Sequence, residues 1–235
     1  MTKAKDIQSK LTSLGDSQTA QFSQRFFKTG AGEYGEGDLF RGIRVPVLKR
    51  IAKDHKELSL VETLKLLHSP YHEDRLVALL ILTHQFIRGD NATRKAIYQS
   101  YLRNTRYINS WDLVDSSAPQ IVGGFLYDKD RKVLSKLAAS RHLWERRIAI
   151  MATFHFIRRG ENRDTLKLAS ILLPDTEDLV HKAVGWMLRE VGKRNLKSAE
   201  DFLREHYRRM PRTMLRYAIE RFPERKRQRY LEGKA

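Results

Sequence analysis

The chain has 235 residues, 41% of them hydrophobic, no cysteine, and 45 Lys+Arg against 28 Asp+Glu for a formal net charge of +17. That length suits one domain or a short repeat array, with the whole of 1–235 expected to form a single domain. The missing cysteines exclude a disulfide framework and a thiolate-held metal. No run of 18 apolar residues is present, so no membrane span is expected. "MTKAKDIQSKLTSLG" at the start lacks an apolar signal core, which points to a cytoplasmic protein. A positive excess of this size repels itself unless a polyanion is near, and nucleic acid is the expected partner. Generic solubility charge and a membrane surface are the plainer rivals. The cations are spread along the chain, which favours a shaped basic surface over a basic tail.

Helical signals run from one end to the other. "QFSQRFFKT" is helical and leads into the loop "GAGEYGEGD", residues 30–38. That loop holds a formal Gly30-Ala-Gly32-Glu-Tyr-Gly35, but the dinucleotide fingerprint needs a strand before it and a helix directly after. Its acids Glu33, Glu36 and Asp38 would also repel a pyrophosphate. A mobile, ligand-adjacent loop or a plain connector is the better reading. Pro46 suits the first turn of a helix over "VLKRIAKDH". Ser59 and Glu62 form a capping-box pattern before "TLKLL". Apolar residues recur at helical spacing over 74–88, 145–158 and 177–191. Asn91, Ser110, Thr176 and Ser198 are candidate N-caps. Strand alternation is nearly absent, so about a dozen helices and no substantial sheet are predicted.

Two of these segments are copies. Asp74–Gly89 and Glu145–Gly160 align at an offset of 71 residues, with Arg75/Arg146, Ala78/Ala149, His84/His155, Arg88/Arg159 and Gly89/Gly160 matching. Further helix starts near Ser110, Thr176 and Pro211 set the unit at about half that offset. Helical units of this size stack into solenoids of helix pairs. The fold expected is all-α: a HEAT-like helical-repeat solenoid whose concave face is basic.

The histidines do not read as a metal site. His68 and His72 are four apart, but Pro70 breaks the helix that would align them, and no third ligand is evident. His84 and His155 sit on apolar faces and read as core residues. No metal and no cofactor is implied, and no P-loop, kinase or nucleophile-elbow signature is present.

What remains is a set of aromatics, cations and one carboxylate. In "INSWDLVDSSAP", Trp111 and Asp115 are i and i+4 and share a helix face. Asp112, one residue after Trp111, points elsewhere and serves the helix N-terminus. "SRHLWERRIAI" carries Trp144, which packs between repeats, and Arg147. "HKAVGWMLREVGKR" carries Lys182, Trp186, Arg189 and Lys193 as one stripe. In a solenoid, equivalent helix faces line one groove. Each feature has a plainer reading: a helical Trp in the core, Asp115 as a cap or an Arg partner, a Lys/Arg stripe as a solvated face.

In order and spacing, "SWDLVDS…P", "LWERRIAI" and "KAVGWMLREVGK" resemble the AlkD-type DNA alkylation repair family of HEAT-like DNA glycosylases, and "FRGIRVPVLKRIAK" resembles that family's early helix start. The resemblance spans roughly 20 to 225. It implies hydrolysis of the N-glycosidic bond of cationic N3- or N7-alkylated purines in double-stranded DNA, without flipping the base into a pocket. Asp115 matches the family's catalytic acid, Trp111 the Trp of its Trp-x-x-x-Asp face, and Trp186 its second pocket Trp. Arg147 matches a DNA-backbone contact, and Lys182, Arg189, Lys193 and Arg44 join it as DNA-binding residues. The implied protein is a monofunctional, monomeric enzyme acting on nucleoid DNA. Ser110 stands where better-known members have a second Trp, Phe26 falls where a family Tyr is expected, and loop 30–38 is absent from compact members. Those departures keep open a non-catalytic relative that recognises branched or distorted DNA, and more distantly a protein-interaction scaffold.

Overall fold

The computed structural model describes residues 2–235. Among them the regular structure is helical, apart from one isolated bridge between Leu39 and Tyr71. No helix of the described residues is long and apolar enough to cross a membrane. The chain forms two compact units, 1–121 and 122–235.

The first unit holds α1 (Ala4–Ser13), α2 (Ser17–Phe26), α3 (Val45–Asp54), α4 (Leu60–Leu67), α5 (His72–Arg88), α6 (Asn91–Arg103) and the short α7 (Trp111–Asp115). Pro46 lies in the first turn of α3 as its missing N–H allows. Ser59 caps α4 by accepting from the Glu62 amide, but the Glu62 carboxylate reaches the Ala4 amide at 2.7 Å and Lys65 instead of closing a capping box. Helix α5 is the centre of this unit. It packs on α3, α4 and α6, so residues 72–79 are buried on every side. A helix covered all round must also bury its polar first turn, and the partners found there shape the functional site below.

The second unit holds α8 (Gly124–Leu126), α9 (Lys132–Ala138), α10 (Leu143–Ala152), α11 (Phe154–Ile157), α12 (Arg163–Ile171), α13 (Asp178–Gly192), α14 (Leu196–His206), α15 (Arg212–Ala218) and α16 (Glu224–Leu231). Helix α13 is its hub and packs on α10, α12, α14 and α15. Gly185 permits the closest of these approaches: a Cβ there would stand 2.5 Å from the Met214 carbonyl oxygen. Trp144 is buried, as expected of a residue packed between helices. The predicted continuous helix over 145–158 is divided at Thr153, whose hydroxyl bonds the Ile150 carbonyl at 2.7 Å. The N-caps near 176 and 198 fall one to three residues away, at Glu177 and Asn195.

The repeat is structural as well as textual. Arg75 donates to the Ser69 carbonyl at 3.0 Å, and Arg146 donates to the Ser140 carbonyl at 3.1 Å. Both pairs obey the offset of 71. In each copy a guanidinium from the second helix satisfies an orphan carbonyl just past the end of the first. The matching histidines, by contrast, are half-buried and not core: His84 lies in a surface cleft with Lys56 and Arg88, and His155 stacks edge-on against Tyr127. Burial and the two cations hold the His84 imidazole below its ordinary range.

Candidate functional site

Four consecutive ionisable residues, His72-Glu73-Asp74-Arg75, open α5, and all four are buried. Each is consumed by the segment 38–44. Glu73 accepts the backbone amides of Arg41 (2.9 Å), Gly42 (2.8 Å) and Ile43 (3.3 Å). Asp74 takes the Arg41 guanidinium at 2.7 and 3.0 Å and the Ser69 hydroxyl at 2.7 Å. Arg75 pairs with Asp38 at 2.6 Å. Gly42 has φ +80°, and a Cβ would stand 2.1 Å from the Asp16 carbonyl oxygen, so this close approach admits only glycine. The segment before α3 is thereby pinned against α5.

His72 is held from both sides. Its Nε2 lies 2.8 Å from Asp112 and its Nδ1 3.4 Å from Asp38. Asp38 also accepts from Asn109 at 2.9 Å. Burial alone would push the imidazole down, but the Asp112 and Asp38 carboxylates outweigh it and hold His72 up at about 9. It is therefore an imidazolium at neutral pH. Its ring is sandwiched by Phe27 and Phe40, with centroids at 4.8 and 4.6 Å.

In front of this ion cluster lies an open cavity of about 710 Å³, with Phe22, Phe26, Phe27, Phe40, Trp111 and Asp112 in its wall. Trp111 stacks on Phe27 at 5.5 Å and meets Phe26 edge-on at 6.2 Å. Phe22 and Phe26 are 64% and 56% exposed, so this aromatic wall opens to solvent. Arg44 stands exposed at the rim.

Sequence reasoning found Trp111 and missed its surroundings. Asp112 departs from expectation: it does not point away from the site but joins Trp111 in the cavity wall and pairs with His72. Asp115 is half-buried and lies outside that wall, beside the phenol of Tyr101. Burial, together with the Asp115 charge, holds the Tyr101 phenol above its ordinary range against the opposing Ser117 hydrogen bond. Loop 30–38 is tied down by its own acids: Glu33 accepts the Gly30 amide and Glu36 the Gly32 amide, both at 2.9 Å. Gly35 packs so closely that a Cβ would stand 2.5 Å from the Phe27 carbonyl oxygen. The loop carries the chain from the aromatic wall at Phe27 to the anchor at Asp38. His68 bonds Asn104 at 2.7 Å, so the His68–His72 pair shares no ligand position.

In the second unit, Trp186 is half-buried and lies 6.1 Å from Phe154, over which Arg158 is placed. The stripe on α13 is engaged with carboxylates: Lys182 with Asp178 at 2.6 Å, Arg189 with Glu220, and Lys193 with Glu190 at 2.5 Å. Glu190 also binds Arg194 at 2.9 Å. Burial raises the Glu190 carboxyl, but Lys193 and Arg194 outweigh it and hold it below the usual range. Arg147 is 4% exposed and donates to the Leu179 carbonyl.

Fold and site together define an all-helical repeat protein with an aromatic cavity backed by carboxylates. The chain belongs to the DNA alkylation repair enzyme family, whose model matches residues 7–222. It is similar in fold to a solved structure described as a predicted DNA alkylation repair enzyme from Enterococcus faecalis, with a TM-score of 0.67 and 16% identity over 89% of this chain and 97% of that one. No match was found among curated proteins.

Proposed function

We propose that this protein is a DNA glycosylase that hydrolyses the N-glycosidic bond of N3- or N7-alkylated purines in double-stranded DNA, acting as a monomer and without flipping the base. The observation that carries this reading is the electron-rich character of α7 in a chain of net charge +17: Trp111 stacked among phenylalanines, with Asp112 and Asp115 on the same short helix. An alkylated purine is cationic, so its glycosidic bond is already weakened. Cleavage leaves a neutral base and an oxocarbenium-like sugar, as in glycoside hydrolysis. What the reaction then needs is negative charge beside the developing cation and an oriented water, which a half-buried carboxylate supplies.

In this reading Asp115 is the catalytic acid. Trp111 and Trp186 attract positive charge through their ring faces, each contact contributing about 0.5–2 kcal/mol. Arg44, Lys182, Arg189 and Lys193 bind phosphates, which supplies affinity without base information. Lys182, Arg189 and Lys193 exchange their carboxylate partners for phosphate on binding. Arg147, being buried, acts by holding the Leu179 turn. The test is to incubate the protein with methylated duplex DNA and measure released free base. Wild type should release it, and Asp115→Asn should lower the rate about 10²–10³-fold, as for other preorganised electrostatic groups. DNA binding by wild type with no base released from any methylated duplex would replace this reading with the non-catalytic DNA-binding one.

A further inference from the structure

The aromatic cavity in front of α5 has a polar feature that the glycosylase reading does not use. Both ring nitrogens of His72 are committed, to Asp112 and to Asp38. Both carboxylate oxygens of Glu73 are committed to backbone amides. Asp112 differs: its Oδ2 is bonded to His72, while its Oδ1 is buried and has no hydrogen-bond partner. A buried carboxylate oxygen left without a donor is costly, by about 1–3 kcal/mol and more for a charged group. A fixed and desolvated acceptor of this kind, in the wall of an open cavity, marks the position of a ligand's donor or positive charge. The neighbouring surfaces agree. Trp111, Phe27 and the exposed Phe26 form that wall, and aromatic faces are the negative ends of ring quadrupoles.

The charges in the wall do not oppose this. His72 is positive, but its N–H groups are spent on carboxylates and its ring is covered by Phe27 and Phe40. Arg44 is exposed at the rim, free to turn into solvent. Asp38 and Arg75 behind His72 neutralise each other. The one unsatisfied ionic atom in the wall is an anion's oxygen.

We propose that this cavity is a binding site for a flat heteroaromatic cation, stacked against Trp111 and the neighbouring phenylalanines, with Asp112 Oδ1 as its counter-charge and His72 as the positioning residue that fixes the Asp112 rotamer. The binding property stands on the cavity alone. Its extension to repair, in which the site reads the positive charge of an alkylated base at the duplex surface, rests on the glycosylase reading.

N-methylpyridinium and toluene are matched in shape and differ in charge, and so test the proposal directly. Binding of each to the full-length protein is followed by NMR, through the Trp111 indole N–H. Wild type should bind N-methylpyridinium about tenfold more tightly than toluene, in line with a cation–π contact plus a carboxylate. Asp112→Asn should remove that preference while toluene affinity stays within about twofold, which also reports an intact cavity. Phe26 is exposed, so Phe26→Leu leaves the fold alone; it should weaken the cation severalfold and toluene little. His72→Gln frees the Asp112 rotamer and should weaken the cation, again with toluene retained. Equal affinity for the two probes in wild type, or a cation preference surviving in Asp112→Asn, overturns the proposal. These outcomes are separate from base release. A protein that binds the cation through Asp112 but excises nothing keeps the site and loses the glycosylase reading.

Discussion

Raising the pH from 6 to 9.5 should destabilise the first unit through one residue, His72. Its imidazolium is favoured in the folded state because Asp112 and Asp38 flank it at 2.8 and 3.4 Å. Burial works the other way and is outweighed, leaving His72 at about 9 against an ordinary 6.5. At about 1.36 kcal/mol per pH unit, that difference corresponds to about 3 kcal/mol. The sign follows from proton uptake. Above pH 6.5 the unfolded chain has released this proton while the folded one still holds it, so stability falls as pH rises. The contribution is full below about pH 6.5 and lost once pH passes about 9. Urea unfolding of wild type and His72→Gln at a series of pH values isolates the effect, since other titrating groups cancel in the difference. The gap between the two proteins should narrow by about 3 kcal/mol across the range. A gap constant to within about 0.5 kcal/mol, or a His72 ring titrating at or below 6.5 by NMR, would refute the reasoning.

Other consequences can be measured in the same way. Glu73→Gln replaces an acceptor of three backbone amides with a group whose amide end faces an N–H donor; a loss of about 2–4 kcal/mol is expected, with faster amide exchange confined first to 41–43. Gly42→Ala places a Cβ against the Asp16 carbonyl at φ +80° and should lower stability by at least about 2 kcal/mol in thermal unfolding. DNA affinity should fall steeply with salt, and a log K against log salt slope near zero would remove the phosphate-binding role. Because Arg189 is engaged with Glu220, Glu220→Gln should raise DNA affinity about two- to fivefold at low salt, the range expected for freeing one exposed pair.

The amino-acid sequence determined the class of this molecule. Apolar spacing of three and four made it helical, and the copies beginning at Asp74 and Glu145 disclosed repeats whose Arg75 and Arg146 make the same carbonyl contact. Such features are legible because their physics is local: a helix face, a cap, a recurring pattern. Trp111 was visible for the same reason, as a large aromatic on a short helix next to carboxylates. The site's interior was not. His72, Glu73 and Asp74 read as the solvated acidic first turn that helix dipoles favour, although α5 is apolar around much of its circumference and a helix covered all round buries its first turn too. Only the tertiary structure brings Asp38, Asn109 and Asp112 to that turn from 34 to 71 residues away along the chain. The same limit applied to the stripe on α13. Its spacing was correct, but Arg189 meets Glu220 across 31 residues. Charge pairing depends on distance in space, and a one-dimensional pattern records which charges exist without recording which of them are already neutralised.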